Sequence, residues 1–253
     1  MKIRFLGTGT SQGVPMIGCD CEVCVSPDAR DNRLRASILI EYANKVIQID
    51  GGPDFRYQHL RANTKQLDAI LITHAHKDHI AGLDDVRAFN YFMKKPMDIY
   101  CDVPSAKAIR EDFSYSFKED KYPGVPEINL IEITHNPFEI DRIKIIPIPV
   151  MHYKMSVLGY RIEDFCYITD ANFISDESKA KMKGLKCLVI NGLRDEKHIS
   201  HFTLNEALAI IEEVKPKVAY ITHISHQLGL HKDVEPTLPD GVHLGIDNMV
   251  VEF

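Results

Sequence analysis

A chain of 253 residues, 45% hydrophobic and 26% charged, is long enough to bury a substantial core in one large domain or two small ones. Its net charge of -6 and pI near 6.0 argue against a nucleic-acid partner, which would bring a basic face, and no arginine-lysine block occurs. No apolar run of about 18 residues is present to span a membrane, and the first residues lack the apolar core of a signal peptide, so a cytoplasmic protein without a membrane partner is expected.

Lys2 to Leu6 predicts a first strand. The Gly7-Thr-Gly-Thr-Ser-Gln-Gly-Val-Pro15 turn that follows has neither a Walker lysine nor a dinucleotide fingerprint. Next comes Cys19-Asp-Cys-Glu-Val-Cys24, which gathers three of the six cysteines. Thiols this close rarely meet disulfide geometry, and such a cluster suits a metal better. A structural zinc takes four ligands, so a fourth must come from elsewhere. Arg35 to Glu41 and Lys45 to Asp50 alternate in polarity and read as a hairpin. Asp50-Gly-Gly-Pro-Asp-Phe-Arg56 then turns into a helix reaching about Ala62. Asp50 reads equally as a turn residue or as a group that orients a metal-binding histidine.

Leu71-Ile-Thr-His-Ala-His-Lys-Asp-His-Ile-Ala-Gly-Leu83 organises the chain. A short β-branched run ends in Thr and delivers His74, His76, Asp78 and His79 within six residues. Imidazole suits zinc, iron and manganese, and carboxylate suits the harder ions, so H-x-H-x-D-H marks a metal site. Helical character follows over Leu83 to Phe92 and Ser105 to Tyr115, with a strand near Met97 to Cys101 between them. Lys118 to Pro126 is charged, rich in Pro and Gly, and predicts an exposed loop.

Strands are then expected at Asn129 to Ile133, Arg142 to Val150, Ser156 to Ile162, Phe165 to Ile168, Cys187 to Ile190 and Lys217 to Ile221. A helix is expected from near Thr203 to Val214, with Glu206 completing a capping box and Pro216 as its stop. Tyr167-Ile-Thr-Asp170 and Tyr220-Ile-Thr-His223 repeat the grammar of Leu71-Ile-Thr-His74, and His152 also follows an apolar strand. Strands that end on one edge of a sheet converge their tips on a single site.

H-x-H-x-D-H after a strand, followed by single His, Asp and His residues at later strand ends, resembles the metallo-β-lactamase fold superfamily over nearly the whole chain. Within it, Leu6-Gly-Thr-Gly-Thr-Ser-x-Gly-x-Pro, the C-x-C-x-x-C cluster, Asp50-Gly-Gly-Pro and Thr222-His-Ile-Ser-His226 are similar to the PhnP-like phosphoribosyl cyclic phosphate phosphodiesterases. The resemblance implies an α+β chain, a four-layer αββα sandwich forming one domain over residues 1–253, with a cysteine-rich zinc loop at about 13–30. By motif position, it implies that His74, His76 and His152 hold one metal, that Asp78, His79 and His223 hold a second, and that Asp170 bridges them. The ions would be manganese or zinc, with iron as a further option. A structural zinc is implied on Cys19, Cys21, Cys24 and His226. His201 falls where these enzymes place a further catalytic histidine, although His198 lies close enough to compete. Asp78 is counted with His201 in the catalytic apparatus.

The implied activity is hydrolysis of a small, cyclic phosphodiester by a bridging hydroxide. Rivals are a carboxylic ester, lactone or thioester hydrolase on the same site, a tRNA 3′-processing nuclease, and a catalytically silent metal-binding protein. The resemblance also implies a homodimer. Arg33, Arg35, Arg56 and Arg194 are candidates to grip a phosphate, although an arginine in such a position is more often a surface or structural residue.

Overall fold

The structure, a computed structural model, describes residues 1–253. In chain order it holds β1 (Lys2–Gly7), β2 (Ser37–Tyr42), β3 (Lys45–Ile49), α1 (Phe55–Ala62), β4 (Ala69–Leu71), α2 (Lys77–Ile80), α3 (Arg87–Met93), β5 (Met97–Cys101), α4 (Val103–Asp112) and β6 (Ile128–Glu132). There follow β7 (Phe138–Ile140), β8 (Ile143–His152), β9 (Met155–Ile162), β10 (Phe165–Ile168), α5 (Asp176–Lys181) and β11 (Cys187–Asn191). The chain ends with α6 (Leu204–Val214), β12 (Val218–Thr222), α7 (His231–Val234), β13 (Val242–Leu244) and β14 (Val250–Glu252). Backbone contacts group these into two compact units. One comprises Met1–Leu6, Ser37–Thr134 and Asn248–Phe253; the other comprises Gly7–Ala36 and His135–Asp247.

The first unit carries a seven-stranded sheet in the order β14-β1-β2-β3-β4-β5-β6. The β2–β3 hairpin closes at Ala43 and Asn44, both at positive φ (48° and 61°), as the two-residue turn that matches strand twist requires. From β3 to β6 the neighbours run parallel. Parallel strands need crossovers, and the helices supply them, packing Phe55, Phe89, Ala106 and Ile109 with Ile70, Ile72 and Ile99 of the sheet side. Each large aliphatic side chain so buried contributes roughly 1.5–3 kcal/mol.

The second unit mirrors this plan with the order β13-β12-β11-β10-β9-β8-β7. Strands β7 to β10 are antiparallel, whereas β10 to β13 are parallel. Helix α6 presses Leu204, Ala207, Ile211 and Val214 onto a core that includes Leu188, Ile190 and Ile221. Its start is the expected capping box: Glu206 N–H donates to Thr203 Oγ1 (3.1 Å) and Thr203 N–H to Glu206 Oε2 (2.9 Å).

Most expected elements stand within two residues of their predicted bounds. Leu83 to Phe92 is not one helix, however: Leu83–Val86 is a 3₁₀ turn, and the α-helix begins only at Arg87. The next helix starts at Val103 because Asp102 caps it, accepting from Ser105 N–H with a proline in the first turn. Lys118 to Gly124 is exposed and carries no helix or strand, as its composition indicates.

Candidate metal centres

In the first unit, β3 and β4 run parallel with Ile49 beside Leu71, so both release the chain at one edge. Past β3 the backbone turns at Asp50, whose φ of 63° places it in the left-handed region. That conformation costs an ordinary residue roughly 1–3 kcal/mol and needs over-determining contacts. The carboxylate supplies them. Asp50 is fully buried; it accepts from Thr73 N–H (2.8 Å), from Thr73 Oγ1 (2.9 Å) and from His79 Nδ1 (2.7 Å). Burial raises its pKa, and the bonds from His79 and Thr73 act in the opposite direction.

These bonds set the tautomers of the neighbours. His79 carries its proton on Nδ1, leaving Nε2 as the ligand nitrogen, 3.1 Å from Asp78 Oδ2. The Thr73 hydroxyl donates to Asp50 and so accepts from His74 Nδ1 (3.0 Å), which leaves His74 Nε2 for a metal. That nitrogen lies 2.9 Å from His76 Nδ1. Two metal–nitrogen bonds of about 2.0–2.1 Å meeting near a right angle span about 3 Å, so the pair suits a shared ion. Backbone bonds close the loop: Gly51 N–H donates to His79 O (2.7 Å) and Gly82 N–H to Gly51 O (2.9 Å). A Cβ at position 82 would lie 2.0 Å from Gly52 O, so only glycine admits this approach.

In the second unit the ligand candidates are strand tips. Strands β8 and β10 both oppose β9, and β10, β11 and β12 are parallel, so all four end at one edge. That edge carries His152, Asp170, Asn191 and His223. Asp170 and His223 again sit at positive φ, 51° and 56°. His223 Nε2 lies 3.0 Å from Asp170 Oδ1, and His201 Nε2 lies 3.2 Å from Asp170 Oδ2. His152 Nδ1 donates to Ser200 O (2.9 Å), which turns its Nε2 outward as a ligand. Burial lowers the pKa of both His152 and His201, with Asp170 pulling the other way.

The two competing histidines are separated by this geometry. The His201 ring stacks on His223 with an interplanar angle of 19° and touches Asp170. His198 stands behind it, its Nδ1 3.0 Å from His201 Nδ1.

Cys19, Cys21, Cys24 and His226 all belong to the second unit, and one ligand atom from each lies within 4.8 Å of the others. His226 Nδ1 is 3.2 Å from Cys21 Sγ and 3.5 Å from Cys19 Sγ. Tetrahedral arms of about 2.0–2.3 Å put ligand atoms roughly 3.5 Å apart, so the cluster fits zinc. None of the three thiols is in a disulfide. The bond from His226 lowers the Cys21 pKa to about 6, which favours the thiolate a metal takes, whereas burial raises Cys24 to about 11. By contrast, Cys101, Cys166 and Cys187 are buried in strands and pushed upward, as core thiols are.

Three supporting residues escaped the sequence reading. Thr73 bridges Asp50 and His74. Asn191 is fully buried and grips both sides of the residue after Asp170: its Oδ1 accepts from Ala171 N–H (2.9 Å) and its Nδ2 donates to Ala171 O (3.0 Å). Ser200 lends only its carbonyl to His152. Asn191 had a legible signal, since it too ends an apolar strand, and Thr73 is the Thr of the repeated Ile-Thr-His ending. Of the arginines, Arg33 is structural: it is buried, donates to Thr8 Oγ1 (2.9 Å) and Gly245 O, and burial lowers its pKa to about 10.

Residues 45–224 match the family described as the beta-lactamase superfamily domain. The chain belongs to the metallo-β-lactamase superfamily. A solved structure of a diphosphatase from the PhnP family is 38% identical, covers 100% of this chain and 97% of its own, and superposes with a TM-score of 0.93. This metallo-β-lactamase-fold chain is thus a metal-dependent hydrolase of the PhnP-like type, and its expected α+β class holds. An octanoyltransferase of Porphyromonas gingivalis is 38% identical over 252 residues, covering 98% of this chain and 51% of that protein. A ribonuclease Z of Limosilactobacillus reuteri is 27% identical over 171 residues, covering 65% of this chain and 49% of that protein. The chain therefore spans about half the length of the curated relatives it matches. No helix of this superfamily member is long and apolar enough to cross a membrane.

Proposed function

We propose that this hydrolase cleaves small phosphodiesters, cyclic ones included, at a pair of divalent ions. The reading assigns His74, His76 and His152 to one ion, Asp78, His79 and His223 to the other, and Asp170 to both, as family membership implies. The donor chemistry supports it: three of the five ligand histidines, His74, His79 and His152, have their second nitrogen committed to oxygen, at Thr73, Asp50 and Ser200 respectively. Manganese, zinc and iron all suit mixed imidazole and carboxylate ligation. A structural zinc on Cys19, Cys21, Cys24 and His226 completes the metal complement. Bound divalent ions supply Lewis acidity and bring the pKa of water from 15.7 toward about 7.

The chain's own contribution is proton placement. His201 faces Asp170 through Nε2, so that nitrogen carries the proton, while Nδ1 faces Ser200 Oγ (3.1 Å) and His198. When the ring is an imidazolium, with its Nδ1 proton on Ser200 Oγ, the Nε2 proton can pass to the leaving alkoxide and leave neutral imidazole, a step typically worth 10²- to 10⁴-fold. His198 supports the ring from behind.

The observation that carries this reading is the full-length likeness to a PhnP-family diphosphatase. A second reading has its own support: the 38% identical relative named an octanoyltransferase favours an acyl substrate, for which the same centre would attack a carbonyl. A tRNA 3′-processing activity is favoured by the ribonuclease Z relatives but opposed by the net charge of -6. A panel of cyclic ribose phosphates, an octanoyl thioester, a lactone and a tRNA precursor separates them. The proposal expects the highest kcat/KM on the phosphodiesters, and a preference for the thioester or the tRNA overturns it.

A further inference from the structure

The segment from Gly7 to Pro15, which the metal centres leave without a role, borders a cavity within the second unit. That cavity measures about 330 Å³, and its lining includes Thr10, Ser11, Gln12, Arg194, His198 and His201. Thr10 to Gly13 is a tight turn. Gly13 N–H donates to Thr10 O (2.8 Å), at a φ of 68° that glycine takes without strain. Thr10 N–H donates to Ile224 O (3.0 Å), which anchors the turn beside the His223 tip. The side chains of Thr10, Ser11 and Gln12 make no hydrogen bond within the chain, so three polar groups in the lining stand uncommitted.

Arg194 is the one permanently charged side chain in this lining. Its Nε donates to Glu196 O (3.2 Å), its Nη2 to Lys197 O (3.5 Å) and its Nη1 to Gln227 Oε1. All three acceptors are neutral, and no carboxylate pairs with the guanidinium. Asp195, its neighbour in the chain, lines a different cavity with Leu204 and Leu208. Two of the five guanidinium N–H groups remain, one on each Nη, and such a fork meets two oxygens of an anion side by side. The Arg194 charge reaches the histidine behind His201: burial and then that charge lower the His198 pKa.

His201, the proton donor to the leaving group in the proposed function, lines the same cavity, so the leaving group departs toward these donors. One positive charge among neutral donors matches one negative charge, whereas a dianion would leave its second charge unpaired. We propose that this cavity is the leaving-group subsite and that Arg194 selects a leaving group bearing a singly charged, two-oxygen anion. Thr10, Ser11 and Gln12 complete the bonds to that anion, which is a carboxylate or a further phosphodiester. The assignment rests on the phosphodiesterase reading.

Steady-state kinetics of the metal-loaded protein on matched diesters test it. Methyl p-carboxyphenyl phosphate is set against methyl p-carbamoylphenyl phosphate, and trithymidylate against dithymidylate. A kcat/KM preference of about 10- to 100-fold, carried by KM, is expected for the anionic or longer member of one pair, and that pair identifies the source of the anion. Arg194→Gln should abolish the preference and Arg194→Lys should keep part of it, since an ammonium supplies the charge without the fork. A parent without preference in either pair, a preference that survives Arg194→Gln, or a larger Arg194-dependent preference for dithymidylate ending in a phosphate monoester overturns the proposal. Equilibrium binding of p-hydroxybenzoate separates this inference from the reading beneath it. If every diester resists hydrolysis, the phosphodiesterase reading fails, and binding that Arg194→Gln weakens about tenfold still supports an anion in this cavity. Hydrolysis of the diesters with p-hydroxybenzoate binding untouched by Arg194→Gln overturns the subsite alone.

Discussion

The two units present candidate metal ligands of the same chemistry by opposite constructions. In the first, four ligand-type residues fall within six positions of one loop, and that loop is held by the Asp50 carboxylate and by backbone bonds through Gly51 and Gly82. In the second, His152, Asp170 and His223 come from strands far apart in sequence, and the register of β8 to β12 alone brings their tips to one edge. Both constructions use the same local device. Asp50, Asp170 and His223 each leave a strand in the left-handed conformation, which breaks the pleat and re-aims the side chain. The difference teaches where each set is vulnerable: the loop to local steric change, the strand tips to loss of the groups that hold each turn.

The largest expected effect is at Asp170, which two histidines face and which the proposed function assigns to both ions. Asp170→Ala should lower hydrolysis by about 10³-fold or more and reduce the metal retained per chain, read by elemental analysis. Next is Gly82→Ala. With Gly52 O 2.0 Å from the added Cβ, the loop must move, and a loss of about 3 kcal/mol or more in urea unfolding is expected. Equal stability would show that the loop yields where the backbone bonds say it does not.

The third prediction contrasts the groups behind the ligands. Asp50→Asn removes the charge beside His79 and turns one of the two accepting oxygens into a donor, so the side chain can no longer accept from both Thr73 N–H and His79 Nδ1. Asn191→Ala frees the turn that carries Asp170. Each should weaken metal affinity or activity by about 10- to 100-fold, measured by titration with a competing chelator. Unchanged affinity in Asn191→Ala would mean that register alone suffices in the second unit.

The smallest effect concerns pH and lies outside both ligand sets. His59 in α1 is buried, its Nε2 2.7 Å from Gln48 Oε1, and burial lowers its pKa to about 3. Its unfolded value is near 6.5, so the unfolded chain takes up a proton first as pH falls. Stability is therefore full above about pH 6.5 and is lost as pH falls toward 3, by roughly 2–3 kcal/mol at pH 4.5. His59→Gln should remove that share of the acid dependence, seen as a smaller difference between urea midpoints at pH 7.5 and 4.5.

Much of this was legible in the sequence because the signals were local. The Thr-His and Thr-Asp strand endings identify His74, Asp170 and His223, and the capping box identifies the start of α6. The four residues proposed to hold zinc, in contrast, join positions some 200 apart in the chain, and family resemblance rather than spacing supplied His226. Asp50 reads as a turn residue or a support until its burial and its bond to His79 are seen. Thr73 is visible only as part of the Thr-His ending, which does not show that its hydroxyl links Asp50 to His74, and Ser200 carries no signal at all, since it acts on His152 through a backbone carbonyl. Short elements such as β7, α5, α7, β13 and β14 escaped because three to six residues are too few to show a period.

The most direct test of the account is hydrolysis of bis(p-nitrophenyl) phosphate by the purified protein, before and after chelation and with manganese or zinc restored. The account predicts nitrophenol release that the chelator abolishes and the restored metal recovers. Release unaffected by chelation, or none from protein shown to hold two ions per chain, would contradict it.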